Sequence, residues 1–274
     1  MGALLGSLSA LCIGLGDLFA RRIVRARGVL ATVAGIQAVA IVAALAAVFI
    51  VGGDFRSRDV LLGALSGLGF GIGMSSYYSG LQRASSAVVA PLTATLSALV
   101  PFAYTAATQG APARIAYVGV LVAVVGLVLL TAGGQTGANV RAGLQWGLLA
   151  GMSYGTGQTL VIDVSSESGA WPAASQRLAA LSVIWAIAAR SHVSPLPPHG
   201  FRLGTIAAGV FAALSTVLFL GAVQFDATPA VVTASMFPAV TVTVGYLYFG
   251  DSVSRAQLAG LVAVLVGVAL VVSS

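Results

Sequence analysis

The sequence predicts an all-α polytopic membrane protein, with ten transmembrane helices arranged as two inverted five-helix repeats. Three observations carry that reading. First, only 7% of the 274 residues are charged and 58% are hydrophobic, against about 25% charged in a typical soluble domain, so lipid must solvate the chain. Second, ten segments reach or nearly reach the length needed to cross a bilayer, about 20 predominantly apolar residues. Third, the chain matches itself at a displacement of 141 residues without a gap. Gly2, Gly6, Gly14, Gly16, Gly28, Gly63, Gly80, Gly119 and Gly126 meet Gly143, Gly147, Gly155, Gly157, Gly169, Gly204, Gly221, Gly260 and Gly267. About two coincidences are expected by chance, so nine mark an internal repeat. Arg114 meets Arg255 and Phe70 meets Phe211 in the same register. Each copy holds five crossings, and an odd number turns the second copy over relative to the first, an arrangement used by transporters.

The expected spans are 2–20, 29–51, 59–81, 85–107, 113–132, 142–162, 173–190, 202–223, 227–250 and 254–272. The first repeat is then residues 1–132, the linker 133–141 and the second, inverted repeat 142–274. The opening stretch reads as a membrane helix rather than a cleavable signal, because the repeat pairs it with a mid-chain segment. Arg21, Arg22, Arg25 and Arg27 close the first span, and Pro195, Pro197 and Pro198 mark the longest irregular connection, 191–200. The runs are continuously apolar, with no period-two alternation. They are therefore helices, which satisfy every backbone polar group internally, and not barrel strands. Gly63, Gly67 and Gly71 recur every four residues on the third span, a stripe that lets two helices approach closely in lipid. No βαβ context surrounds it, which removes a dinucleotide-binding loop.

Composition excludes several chemistries. All 13 basic residues are arginine, so Schiff-base and lysine-nucleophile mechanisms are absent. The net charge of +6 comes from arginines placed at helix ends, the pattern of membrane-flank anchors rather than of a nucleic-acid partner. Cys12 is the only cysteine, so the chain has no intrachain disulfide and no cysteine-rich metal site. No metal and no cofactor is expected. Connections after odd-numbered spans carry nine arginines and those after even-numbered spans carry three. The positive-inside rule puts the nine in the cytoplasm and both termini outside.

Ionisable groups inside spans are costly, which makes them functional candidates. Asp17 lies in the last turn of the first span, four residues before Arg21. It either pairs with that arginine or handles substrate or protons. Arg177, beside Gln176, sits about one turn into the seventh span without a helical partner of opposite sign. It either clamps a substrate carboxylate or phosphate or pairs with Asp163. The repeat sets Gln158 opposite Asp17, with Tyr154 one turn earlier. Tyr77 and Tyr78 cluster with Ser75 and Ser76 on the third span; Ser215, Thr216, Thr233 and Ser235 add hydroxyls in the second copy. Hydroxyls within spans more often bond their own helix's carbonyls than a ligand. Asp17, Tyr77, Tyr78, Tyr154, Gln158 and Arg177 form the candidate substrate-binding set. Pro91, Pro101, Pro229 and Pro238 interrupt the fourth and ninth spans as candidate gating kinks, and interruptions in corresponding helices of two halves point to a transport site.

With these residues in hand, the chain resembles the EamA-type branch of the drug/metabolite transporter superfamily over essentially its whole length. The strongest stretch is FPAVTVTVGYLYFGDSVSRAQLAGLVAVLVGVALV, Phe237 to Val271, which carries Pro238, Gly250, Asp251, Gln257, Gly260 and Gly267. The first copy, around VVAPLTATLSALVP, carries Pro91, Gly119 and Gly126. It departs with Ser97 where Pro238 falls and Gly110 where Asp251 falls. The opening GLGDLFARR is similar to the start of one sub-branch. The resemblance implies a ten-helix secondary transporter in the plasma membrane that moves small metabolites, amino acids or drugs, often outward, driven by a proton or substrate gradient. It also implies that both termini face the cytoplasm, against the arginine count. Asp251 looks like the family's acidic residue, but it stands at a helix end and reads as a cap.

Two rivals come from other classes. Gly14-Leu15-Gly16-Asp17 fits the GxGD motif of intramembrane aspartyl proteases, which need two aspartates sharing a proton. The available partners, Asp163 and Asp226, lie at helix ends, and the repeat turns the motif into Gly155-Thr156-Gly157-Gln158, as expected of scaffold glycines. The chain is therefore read as no enzyme. A passive channel or facilitator is the nearer rival. The partners are a small-molecule substrate and membrane lipid, with a homodimer left open and no nucleic acid.

Overall fold

Apolar segments in hydrocarbon have only their own backbone to bond to, and they coil accordingly. The computed structural model describes residues 1–83, 86–131, 140–192, 200–249 and 254–273. Its helices are α1 (Gly2–Arg27), α2 (Val29–Val51), α3 (Ser57–Arg83), α4 (Ser86–Thr108), α5 (Arg114–Thr131), α6 (Val140–Leu160), α7 (Trp171–Arg190), α8 (Arg202–Phe225), α9 (Ala227–Ala234), α10 (Phe237–Phe249) and α11 (Arg255–Val272), with a 3-10 turn at Ser166–Ser168. No strand occurs among the described residues. The α9 and α10 helices are the two halves of the expected ninth span, parted at Ser235 and Met236, so each of the ten expected spans has its helix or helix pair. The stretches Gly2–Val24, Val29–Val51, Ser57–Tyr77, Arg202–Phe225 and Ala227–Tyr248 are long and apolar enough to span a membrane; Leu92–Thr108, Arg114–Leu129 and Arg255–Val271 are shorter apolar helices. Residues 133–139 of the expected linker, Pro195, Pro197, Pro198, Gly250 and Asp251 lie outside the described residues. So do the side chains of Arg21, Tyr78, Pro91 and Pro238.

Close glycine contacts give the relative direction of each helix pair. A Cβ on Gly2 would meet Asp226 O at 2.9 Å, while one on Gly16 would lie 3.6 Å from Phe211, so α1 and α8 are antiparallel. Moving from Gly6 to Gly14, the neighbour shifts from Ala230 to Val240, so α1 runs parallel to α9 and α10. The second copy repeats both relations: Gly157 meets Phe70 and Gly80 meets Trp146, making α6 antiparallel to α3. Gly147, Gly151 and Gly155 climb past Leu92, Leu96 and Val100, making α6 parallel to α4. The α5 and α11 helices cross antiparallel, with Gly119 on Gly267 and Gly126 on Gly260. Two copies pointing the same way would give the opposite sense in every one of these pairs. The repeats are inverted about a pseudo-dyad lying in the membrane plane.

The copies also interleave. The extensive packings (α5 with α11, α1 with α8, α4 with α6, α3 with α6 and α7) all join opposite repeats, so the halves do not stand as two separate bundles. The termini share one face with residues 52–56, 109–113, 161–170 and Asp226; we call it the terminal face. The nine arginines of the odd-numbered connections belong to the other, arginine-rich face.

Candidate functional site

Arg177 is a buried charge set within a span, 8% exposed. Its Nη2 donates to Ala212 O and Thr216 Oγ1 on α8, and its Nη1 to Gln37 Oε1 on α2 at 3.4 Å. The Nε is buried without a hydrogen-bond partner among the described residues. Three neutral acceptors thus hold a guanidinium that ties α7 to α2 and α8. Asp163 does not take part, which corrects the expected Arg177–Asp163 alternative. It is exposed on the α6–α7 connection and accepts from the Tyr104 hydroxyl. The two groups are separated because Asp163 lies on the terminal face while Arg177 is set into α7.

Beside this brace runs a buried polar chain. Gln176 Nε2 donates to Ser66 Oγ at 2.7 Å, and Ser66 Oγ donates to Gly157 O at 2.6 Å, linking α7, α3 and α6. Gln158 follows directly on α6, half-buried, and its Oε1 accepts no hydrogen bond from the described residues. Tyr154, one turn away, packs edge-on against Phe70 with ring centroids 5.4 Å apart and lies within electrostatic reach of Arg177. Tyr154, Gln158 and Arg177 therefore share one neighbourhood.

Asp17 belongs to a second cluster. Its Oδ2 accepts from Thr241 Oγ1 at 2.8 Å, and Tyr77 on α3 lies within electrostatic reach. Gly14 makes this possible: a Cβ there would meet Val240 Cγ1 at 2.3 Å, so α1 and α10 approach closely enough for Asp17 to reach Thr241. All three side chains are half-buried. The dyad-related pair Asp17 and Gln158 thus sits in two clusters, one carrying the carboxylate and the other the guanidinium.

The remaining candidates separate. Ser75, Ser215, Thr233 and Ser235 bond Gly71 O, Ala212 O, Pro229 O and Val231 O of their own helices. The α4 helix runs unbroken through Pro91 and Pro101, whereas the ninth span is parted at Ser235–Met236. Pro238 follows that break as the second residue of α10, and Pro229 lies in the first turn of α9, where a missing N–H removes no helix bond. Asp163 and Asp226, the two possible partners of Asp17 in a protease, are exposed on the terminal face, and Gly14 and Gly16 lie at helix contacts.

Sequence reasoning passed over two residues. Gln37 is the one amide in α2 and is 1% exposed, and a lone amide in a 23-residue apolar helix is its signal. Asp59, at the first position of the expected third span, is only 2% exposed.

The architecture is shared with solved structures. A protein described only as "Crystal structure of protein" superposes with a TM-score of 0.80 at 18% identity, over 98% of this chain and 96% of that one. A comparison with curated proteins finds no match. The model of the EamA-like transporter family matches residues 1–132 and again 141–273. The chain belongs to the EamA-like transporter family, a family of multi-pass membrane transporters within the drug/metabolite superfamily.

Proposed function

We propose that this protein is a secondary active transporter of the plasma membrane that exports small metabolites, amino acids or drugs by alternating access. The observation that carries the reading is the in-plane pseudo-dyad between interleaved copies. A scaffold whose halves are near-equivalent and inverted has two conformations of similar energy, each opening a central site to one side. The two clusters supply that site: the Asp17–Tyr77–Thr241 group on α1, α3 and α10, and Tyr154 and Gln158 on α6, backed by Arg177. The break between α9 and α10 gives the Asp17 side a joint that α4 lacks. Alternating access needs such relative movement, and irregular backbone at membrane depth is tolerated only where protein or a cavity covers it.

Transport is tested by a thermal-shift screen of metabolites in detergent, followed by counterflow of the best hit in proteoliposomes. A carrier accelerates the exchange of labelled for unlabelled solute. Equilibration that trans solute does not accelerate would instead establish the passive channel or facilitator.

A further inference from the structure

One buried carboxylate has no place in either cluster. Asp59, in the first turn of α3, accepts from Ser168 Oγ at 2.6 Å and from Ser165 N at 3.2 Å, with Arg58 Nη1 at 3.6 Å. Both serines belong to the α6–α7 connection, so the carboxylate fastens the first repeat to the second on the terminal face. Backbone seals the same contact. Asp54 N donates to Glu167 O at 2.7 Å, Arg56 pairs with Glu167, and a Cβ on Gly169 would meet Gly52 O at 2.0 Å.

The repeat supplies an internal control. The counterparts of Asp59 and Gly169, displaced by 141 residues, are Gly200 and Gly28 on the arginine-rich face. Neither has a described atom within 4 Å of where its Cβ would stand. Gly63, which would meet Pro172 O at 2.4 Å, has its counterpart in Gly204, whose nearest neighbour is Ile23 at 3.5 Å. Among the described residues, equivalent positions are thus closely packed on one face and loosely packed on the other.

We propose that Asp59 is a gating residue: it latches the terminal face shut in this conformation, and transport requires the latch to release as the turn at Gly28 closes on the opposite face. The inference rests on the carrier reading above, because only halves that rock need a latch between them. It also explains why the carboxylate is not duplicated. A strong latch on one face alone biases the resting protein toward one of its two states, and substrate binding must offset that bias.

The test reads distances and needs no solute. With Cys12 replaced by alanine, spin-label pairs are placed on exposed residues of opposite repeats: Gln109 and Ser166 on the terminal face, Ala26 and Leu203 on the other. The latched protein gives a narrow, short distribution for the first pair. Asp59→Asn in liposomes shifts the first distribution outward by about 5 Å, the scale of one helical turn, while the second contracts. Ser168→Ala, which removes one donor and leaves the carboxylate in place, moves both in the same directions by less. Unchanged distances in both variants would overturn the latch, and so would movement of the terminal-face pair alone, which is loop fraying. Either result leaves the carrier reading standing. Coupled movement in a protein that never supports counterflow would instead uphold the latch and remove the carrier.

Discussion

The two copies of the repeat share a glycine framework and almost none of their polar chemistry. Gly14 and Gly155, Gly119 and Gly260, and Gly126 and Gly267 all sit at helix crossings in both halves. By contrast Asp17 is replaced by Gln158, Tyr154 stands where the first copy has Ile13, Arg177 where it has Ile36, Thr241 where it has Val100, and Asp59 has only Gly200 opposite. The difference separates two requirements. Exchange between mirrored conformations needs a backbone that packs alike in both halves. Binding an asymmetric solute needs polar groups placed once each, and every extra charge in hydrocarbon is costly.

The framework should be the least forgiving part. At the α5–α11 crossing a Cβ on Gly267 would meet Gly119 O and Ala123 N, both at 2.5 Å. Gly267→Leu should therefore destabilise the fold by about 3 kcal/mol or more, read as loss of the monodisperse peak in detergent chromatography. Gly110, at a turn with φ +103°, has no described atom within 4 Å of where a Cβ would stand, so Gly110→Asn should cost only backbone strain, about 1–2 kcal/mol. Equal behaviour of the two variants would break the claim that crossings rather than turns hold the copies together.

Arg177 comes next. From sequence alone, Arg177→Gln is expected to abolish transport and leave the fold intact. The structure adds a second effect, since the guanidinium bonds Gln37, Ala212 O and Thr216. Hydrogen bonds to a charged group are worth about 1.5–3 kcal/mol each, before the cost of burying the charge is subtracted. The variant should lose roughly 2 kcal/mol in a denaturant titration as well as transport. Arg177→Lys should recover little of either, because a point charge cannot reach three separated acceptors as a planar fork does. Asp17→Asn should behave differently: Thr241 still finds an acceptor, so stability stays within about 1 kcal/mol while counterflow falls about tenfold or more. Wild-type counterflow in that variant would take Asp17 out of the solute path.

How much of this was legible beforehand follows the same division. Helix number, inversion and the crossings were readable because they rest on apolar run length and on glycines that recur at a fixed displacement. Gathering Tyr154, Gln158 and Arg177 was partly readable, since all three lie in adjacent segments of the second copy. Partners across the dyad were not: Gln37 on Arg177, Thr241 on Asp17 and Ser168 on Asp59 are separated by 140, 224 and 109 residues. No helical periodicity connects residues that meet only when two inverted copies interleave. The break at Ser235–Met236 was hidden for a related reason, because four prolines across two spans gave a stronger local signal than the turn itself.

The smallest expected effect tests whether the symmetry is as close as the glycines suggest. Gly16 and Gly157 are counterparts, each facing a phenylalanine, Phe211 or Phe70. The second contact is the tighter: a Cβ on Gly157 would stand 3.0 Å from both Phe70 Cδ2 and Ser66 O, whereas one on Gly16 would stand 3.6 Å from Phe211 Cβ. Gly157→Ala must push against the Ser66 backbone carbonyl, next to the hydrogen bond from Ser66 Oγ to Gly157 O, at a cost of about 1–2 kcal/mol. Gly16→Ala meets only ordinary van der Waals contact and gains about 0.5–1 kcal/mol of helix preference. Thermal midpoints moving in opposite directions would confirm that the α3–α6 packing is compressed relative to its mirror, α1–α8. Equal shifts would mean that the two sides relax alike, and that the asymmetry of this conformation is confined to its two faces.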